Sequence, residues 1–302
     1  MYSKEQLDNK YDKINKIVVS GNIDKETWTK LNKTKEIYSG DYMKDEIINY
    51  YKELYESKSN PEKEIREIFL SKINEILLIL LSQSDIQNER PIRPPKSHAL
   101  DYNGFSQSEI EKIIRGKTIS EEIINFNNLL REICETKENS ELFIHQTSKS
   151  ILFKKKDNIK GGIDIRVINI LPGWLIILEK LALPKIRKFI AEKINQQQFG
   201  FREGSDCNMA KISTRYNSSK LGYKKLLHID IRKAFDSIIR IKLKKMIQTD
   251  FTDKEKLLLL NFIDIYDQIT LDILGKEIYP TRGGPQGSSI VPLRPTSFLL
   301  LY

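Results

Sequence analysis

The sequence is poor in the residues that build metal centres and cross-links. Its 302 residues include two cysteines and three histidines. Cys134 and Cys207 lie far apart without ligand-type spacing, so neither a zinc motif nor a disulfide framework is expected. Both read as reduced thiols of an intracellular protein. His98, His145 and His228 are too scattered for a zinc site. The longest dense apolar run, Ile76 to Leu81, is far short of the ~20 residues a membrane span needs, so no membrane partner is expected. No opening stretch joins a basic region, an apolar region and a cleavage site, which argues against secretion. Internal repeats and low-complexity segments are lacking too, and no two aspartates are adjacent anywhere.

What is abundant is positive charge, and it is concentrated. The net charge is +9, yet residues 151–250 alone hold 22 Lys/Arg against 9 Asp/Glu. The first 150 residues carry 23 against 26, and residues 251–302 carry 5 against 6. A lysine-rich composition explains abundant lysine but not its confinement to one third of the chain. A localised positive field attracts a polyanion, and nucleic acid is the commonest one inside cells.

Hydrophobic spacing divides the chain. The first forty residues show little periodicity and read as a leader. Ile47, Ile48, Tyr51, Leu54 and Tyr55 recur at helical spacing, as do Ile65, Ile68, Phe69, Ile73, Ile76, Leu77 and Leu80, with Ser-Asn-Pro at 59–61 between them. The stripe of Tyr50, Tyr51 and Tyr55 reads as core packing rather than a base-stacking surface. Pro-Ile-Arg-Pro-Pro at 91–95 cannot continue a helix and marks a boundary. Ser106 to Glu109 is a capping box opening a helix to about Arg115. A longer helix from Ser120 is expected, with Ile123, Ile124, Leu129, Leu130 and Ile133 on one side.

Beyond residue 150 helices and strands mix. Ile151–Phe153 and Ile163–Ile170 read as a hairpin around a basic, glycine-containing loop. Trp174 to Ile194 reads as a helix broken or re-aimed at Pro184. Leu226–Ile231 is a short strand, followed by a helix from Ile238 to Ile247 with Ile239, Leu243, Met246 and Ile247 inward. Thr252–Glu255 caps a further helix to about Tyr266, and Ile269–Tyr279 carries a hairpin signal around Gly275. Irregular alternation of this kind indicates an α+β fold.

The stretch LHIDIRKAFD places Asp230 on the strand face opposite Leu227, Ile229 and Ile231. A carboxylate at the end of an apolar strand needs a partner, and a helix cap or a pairing with Arg232 or Lys233 would supply one. Three other segments favour chemistry instead: DIRVINILPGWLIILEKL at 164–181, QQFGFREGSDCNMAK at 197–211 and RGGPQGSSIVPL at 282–293. In this order the four segments resemble the fingers and palm of a reverse transcriptase, of the non-long-terminal-repeat retrotransposon class first and the group II intron type next. The resemblance covers about residues 150–302. INYYKELYESK at 48–58 is similar to the helix that precedes the polymerase in that class.

The resemblance implies a right-hand polymerase, with a helical leader and linker over 1–95 and fingers and a partial palm over 96–302. It implies an enzyme that copies an RNA template from a DNA primer, using deoxynucleoside triphosphates and two Mg²⁺ ions. Two-metal nucleotidyl transfer needs hard oxygen ligands. Asp230 matches the first metal-binding aspartate, and the Ile231 carbonyl its neighbour in coordination. Phe235 matches the aromatic residue under the incoming sugar, where it would exclude a 2′-hydroxyl. Gln286 matches the glutamine beside the incoming nucleotide. Gly284 and Gly287 lie in the turn that approaches nucleic acid. Lys154 and Arg166 match the fingers cations that hold the triphosphate, whereas Lys155 and Lys160 read as solvating a loop. Arg202 is expected against the template backbone, and Asp236 as a cap for the helix that follows it.

The sequence also departs from the family. The Pro-Gly-Asp-Gly loop is missing between Arg115 and Ser120, and Arg-Pro-Ile is replaced by Arg166-Val167-Ile168. The aromatic-x-Asp-Asp hairpin, which carries the remaining metal ligands, is not among these 302 residues. The expectation is therefore an N-terminal portion of a polymerase, truncated before that motif and inactive alone. Two alternatives stay open: a nucleic-acid-binding remnant without catalysis, and an RNA-directed RNA polymerase fragment, against which Phe235 argues.

Overall fold

Several helices of this chain begin where a side chain takes up backbone N–H groups that the first turn leaves unpaired. Ser106 Oγ accepts from Glu109 N at 3.1 Å, and Glu109 Oε2 accepts from Ser106 N at 3.0 Å. The same reciprocal arrangement joins Thr252 and Glu255. Thr118 and Asp206 cap two further helices. Replacing Ser106 with alanine is expected to lower stability by about 1 kcal/mol, seen as a lower urea midpoint at unchanged slope.

The computed structural model describes residues 41–56, 66–82, 100–135, 143–155, 161–191, 193, 197–200, 202, 204–222, 225, 227 and 233–290. Among the described residues the elements run α1 (Asp41–Leu54), α2 (Arg66–Leu81), α3 (Gln107–Ile114), α4 (Ile119–Cys134) and β1 (Thr147–Lys154). A 3₁₀ turn at Gly162–Asp164 leads into β2 (Ile165–Ile170) and α5 (Gly173–Ala191). Then follow α6 (Cys207–Leu221), α7 (Arg240–Asp250), α8 (Asp253–Gln268), β3 (Thr270–Ile273) and β4 (Lys276–Ile278). The leader before residue 41, the boundary at 91–95 and the strand at 226–231 lie outside the described residues, as does the Lys154 side chain.

One four-stranded sheet has the order β2-β1-β3-β4. β1 pairs antiparallel with β2 and parallel with β3, Thr147 opposite Thr270. β3 and β4 form a hairpin turned by Leu274 and Gly275, both at positive φ (55° and 78°), as a two-residue type I′ connection requires. Helices packed with one small mixed sheet fit the α+β class.

Two cores result. The larger is centred on α5, where Trp174, Leu175, Ile177, Leu178 and Leu181 are fully buried among α2, α3, α4 and α8. Phe69 packs edge-on to Trp174 at 5.6 Å. The helix runs through Pro184 to Ala191 rather than breaking there. In the smaller core, Ile47, Tyr51 and Tyr55 of α1 and the residues just after it lie on one face of the sheet. They meet Leu152, Ile165, Val167, Leu271, Ile273 and Ile278. Tyr51 Oη donates to the Ile165 carbonyl at 2.8 Å. Tyr51 and Tyr55 are thus core residues, as the sequence suggests.

Three residues of the expected apolar faces are exposed. Ile68 and Ile124 each sit one step round the helix from a fully buried neighbour, Phe69 and Ile123. The buried stripes Phe69-Ile73-Ile76-Leu80 and Ile119-Ile123-Phe126-Leu130 already fill the inward face. Ile239 precedes α7 as its N-cap. Neither Cys134 nor Cys207 is in a disulfide. Among the described residues no helix is long and apolar enough to cross a membrane.

Candidate functional site

The turn at 282–289 is held in place from several sides. Gly283 N donates to the Ile238 carbonyl at 2.7 Å, and Gly284 N to the Phe235 carbonyl at 3.0 Å. Asn169 N donates to the Gln286 carbonyl at 2.8 Å. Among the described residues β2 is the outermost strand on its side of the sheet, and this bond uses a backbone donor that β1 does not take. From α5, the fully buried Glu179 accepts from Ser289 N at 2.6 Å and from Tyr266 Oη at 2.5 Å. Tyr266 Oη is also 2.9 Å from Ser288 Oγ.

Glycine is required twice here. Gly283 has φ 79°, and a Cβ there would lie 3.0 Å from the Asp236 carbonyl oxygen. At Gly287 a Cβ would overlap the Asn169 carbonyl oxygen. The turn is therefore pressed against both the Asp236 segment and β2 by backbone contact.

Beneath the turn, Arg240 at the start of α7 is buried, and its guanidinium bonds through Nε and one terminal nitrogen. Nε donates to the Gly283 carbonyl at 2.7 Å. One terminal nitrogen reaches the Tyr266 carbonyl (3.2 Å), the Pro280 carbonyl (3.1 Å) and Asp267 Oδ1 (2.8 Å). Arginine alone among cations offers donors in a fixed fork of this kind.

Asp236 differs from expectation. It does not cap α7, whose N-cap is Ile239, three residues further on. Instead its Oδ1 accepts from Tyr55 Oη and from Gln286 Nε2, both at 3.0 Å. Burial, followed by the charge of Asp236, pushes the Tyr55 phenol well above its ordinary pKa; the Arg240 charge opposes this. Tyr55 is thus a permanent donor.

Cations gather beside this constellation. Lys233 holds its ammonium over the rings of Tyr50 (4.8 Å) and Tyr51 (5.5 Å), from a backbone at φ 58° that non-glycine residues seldom adopt. Lys155 Nζ donates to the Ile163 carbonyl at 2.7 Å. Desolvation, then the charge of Lys233, lowers the Lys155 pKa; Arg166 adds to this, while Tyr50 and Asp236 oppose it. Like charges held together in this way favour an anionic ligand.

The expected site residues fall into four groups. Phe235, Gln286, Gly284 and Gly287 come together around the turn, Phe235 half-buried against the larger core. Arg166 is exposed on β2 with Phe153, not Lys154, directly across from it, while Lys154 pairs with Ile165. Arg202 is exposed between α5 and α6 in the chain, and α6 has no buried residue. Asp230 and Ile231 lie outside the described residues.

Among the described residues no group of three or more His, Cys, Asp or Glu stands ready for a metal. Asp236 is engaged by two donors. Lys155, Lys233, Tyr55 and Asp236 are the members that sequence reasoning did not assign to the site. The only signal for Lys233 and Asp236 was their place in the RKAFD stretch.

Three of the four segments quoted above thus converge on one turn. Residues 153–299 match the family model described as reverse transcriptase (RNA-dependent DNA polymerase). The matched span takes in the last two residues of β1, then β2, the RKAFD stretch and the glycine turn, and begins after α1–α4. No curated protein matches the chain.

Proposed function

We propose that the chain is the N-terminal portion of an RNA-directed DNA polymerase of a retroelement, of the non-long-terminal-repeat type. Its fingers and partial palm run over 96–302, behind a helical leader at 1–95. The observation that carries this reading is the convergence within residues 153–299. Gln286 is hydrogen-bonded to Asp236 and tied through its backbone to β2, with Lys155, Arg166 and Lys233 grouped alongside. In this reading the three cations, with Lys154, receive the triphosphate of a deoxynucleotide. Phe235 lies under its sugar, and Gln286 beside it. Gly284, Gly287 and Arg202 approach template and primer. Asp230 and the Ile231 carbonyl would hold Mg²⁺, which supplies charge neutralisation at the transferring phosphate when bound.

The 302 residues contain no Asp-Asp pair, and one carboxylate does not assemble a two-metal site. The same fact favours a second reading, in which this chain binds nucleic acid without chemistry. One experiment tests both. An RNA template annealed to a DNA primer should bind the 302-residue chain with affinity that falls steeply with salt, by about 0.7–0.9 log units per tenfold salt for each phosphate contact. No primer extension with Mg²⁺ and deoxynucleotides is expected. Absence of binding at low salt would refute both readings. Extension that Asp230→Ala abolishes would overturn the inactivity of this chain.

A further inference from the structure

We propose that Tyr55 is a positioning residue for Gln286, acting through Asp236, so that the helix before the matched segment finishes the nucleotide-facing turn. The inference rests on the reading of Gln286 given above.

Asp236 is 3% exposed, so its carboxyl oxygens must find their donors within the protein. Tyr55 Oη and Gln286 Nε2 meet on one oxygen, Oδ1. A carboxylate only accepts, so the Gln286 amide is held one way round. The opposite orientation would set two oxygens 3.0 Å apart. Gln286 therefore turns Nε2 to Asp236 and has its Oε1 acceptor left for a donor of the ligand, such as a sugar hydroxyl or a base N–H. Tyr55 itself is 2% exposed and its ring stacks on Tyr51 at 5.8 Å, so its hydroxyl has little freedom.

A second tie is independent of these side chains. Thr281 N donates to the Tyr55 carbonyl at 3.0 Å, and Thr281 Oγ1 to the Glu56 carbonyl at 3.0 Å. Arg282 is paired with Glu56. The end of α1 thus grips the residues that open the turn, while Tyr55 steadies the carboxylate under its far side.

Tyr55→Phe removes the hydroxyl and keeps the stacked ring. Two readouts on the full chain test the role. The first is the side-chain amide signal of Gln286 in a ¹H–¹⁵N spectrum, identified by its loss in Gln286→Ala. Tyr55→Phe should shift it and speed its exchange with solvent. The second is binding of a fluorescent deoxynucleoside triphosphate with Mg²⁺. Tyr55→Phe should weaken binding by about 5-fold, and should add less than about 2-fold when Gln286 is already alanine, because coupled residues are not additive.

Equal effects with and without Gln286 would overturn the proposal in favour of a purely structural role, as would an unmoved Gln286 amide. Should the wild-type chain bind no deoxynucleotide, the nucleotide reading fails by itself. The amide signal then still decides whether Tyr55 positions Gln286. Asp236→Asn provides a second variant: its side chain can donate as well as accept, so the Gln286 amide should become free to flip.

Discussion

Replacing Arg240 with methionine is expected to cost about 3 kcal/mol or more of folding stability, the net of several lost charge-assisted bonds. The guanidinium serves four acceptors, three of them the carbonyls of Gly283, Tyr266 and Pro280. Asp267 is not stranded by the change, since Lys244 Nζ still reaches its Oδ2 at 2.7 Å. The Tyr266 carbonyl still accepts from Ile269 N at 3.3 Å, so the loss comes mainly from the Gly283 and Pro280 carbonyls, at about 1–3 kcal/mol each before relaxation. Methionine fills the space with apolar volume but offers no hydrogen. Lysine keeps the charge and lacks the fork, so Arg240→Lys should recover only part of the loss. Urea unfolding of the three proteins gives the order wild type, Arg240→Lys, Arg240→Met. Equal midpoints for wild type and Arg240→Met would show that the carbonyls find other donors. Arg240 then would not be what joins the turn, α8 and the end of the β3–β4 hairpin.

Much of the local structure was legible because its causes are local. Ser106 with Glu109, and Thr252 with Glu255, are pairs three residues apart whose geometry follows from their spacing, and both form. The β3–β4 turn was visible at Gly275 because few residues accept its backbone. The sheet order was not legible. β1 lies beside β3 in parallel, Thr147 against Thr270, and no local pattern encodes a pairing across that separation. Asp236 illustrates the same limit at the site. An aspartate shortly before a helix is a natural cap, yet its two partners are Tyr55 and Gln286, 181 and 50 positions away. Lys155 was set aside as loop charge because composition gives no direction. Only the fold reveals that it feels Lys233 and Arg166.

Gly287→Ala should have a more local and sharper effect than Arg240→Met. A methyl group at this position would occupy the space of the Asn169 carbonyl oxygen, and neither side of that contact is a flexible side chain that could swing away. The turn must lift from β2. Lifting it breaks the bond from Asn169 N to the Gln286 carbonyl and withdraws Gln286 from Asp236. The amide of Asn169 then loses its acceptor, and its hydrogen exchange should accelerate by at least about 10-fold, the equivalent of about 1.4 kcal/mol of lost protection. Gly283→Ala supplies the comparison. Its backbone at φ 79° would be strained by about 1–2 kcal/mol, and the nearest atom, the Asp236 carbonyl oxygen, stands 3.0 Å from the added carbon. That contact can ease by a few tenths of an ångström, so Gly283→Ala should lower the urea midpoint while leaving Asn169 largely protected. If both variants exposed Asn169 equally, the turn would move as one rigid piece. If Gly287→Ala left Asn169 protected, the close approach of turn and strand would not be what holds Gln286 in place.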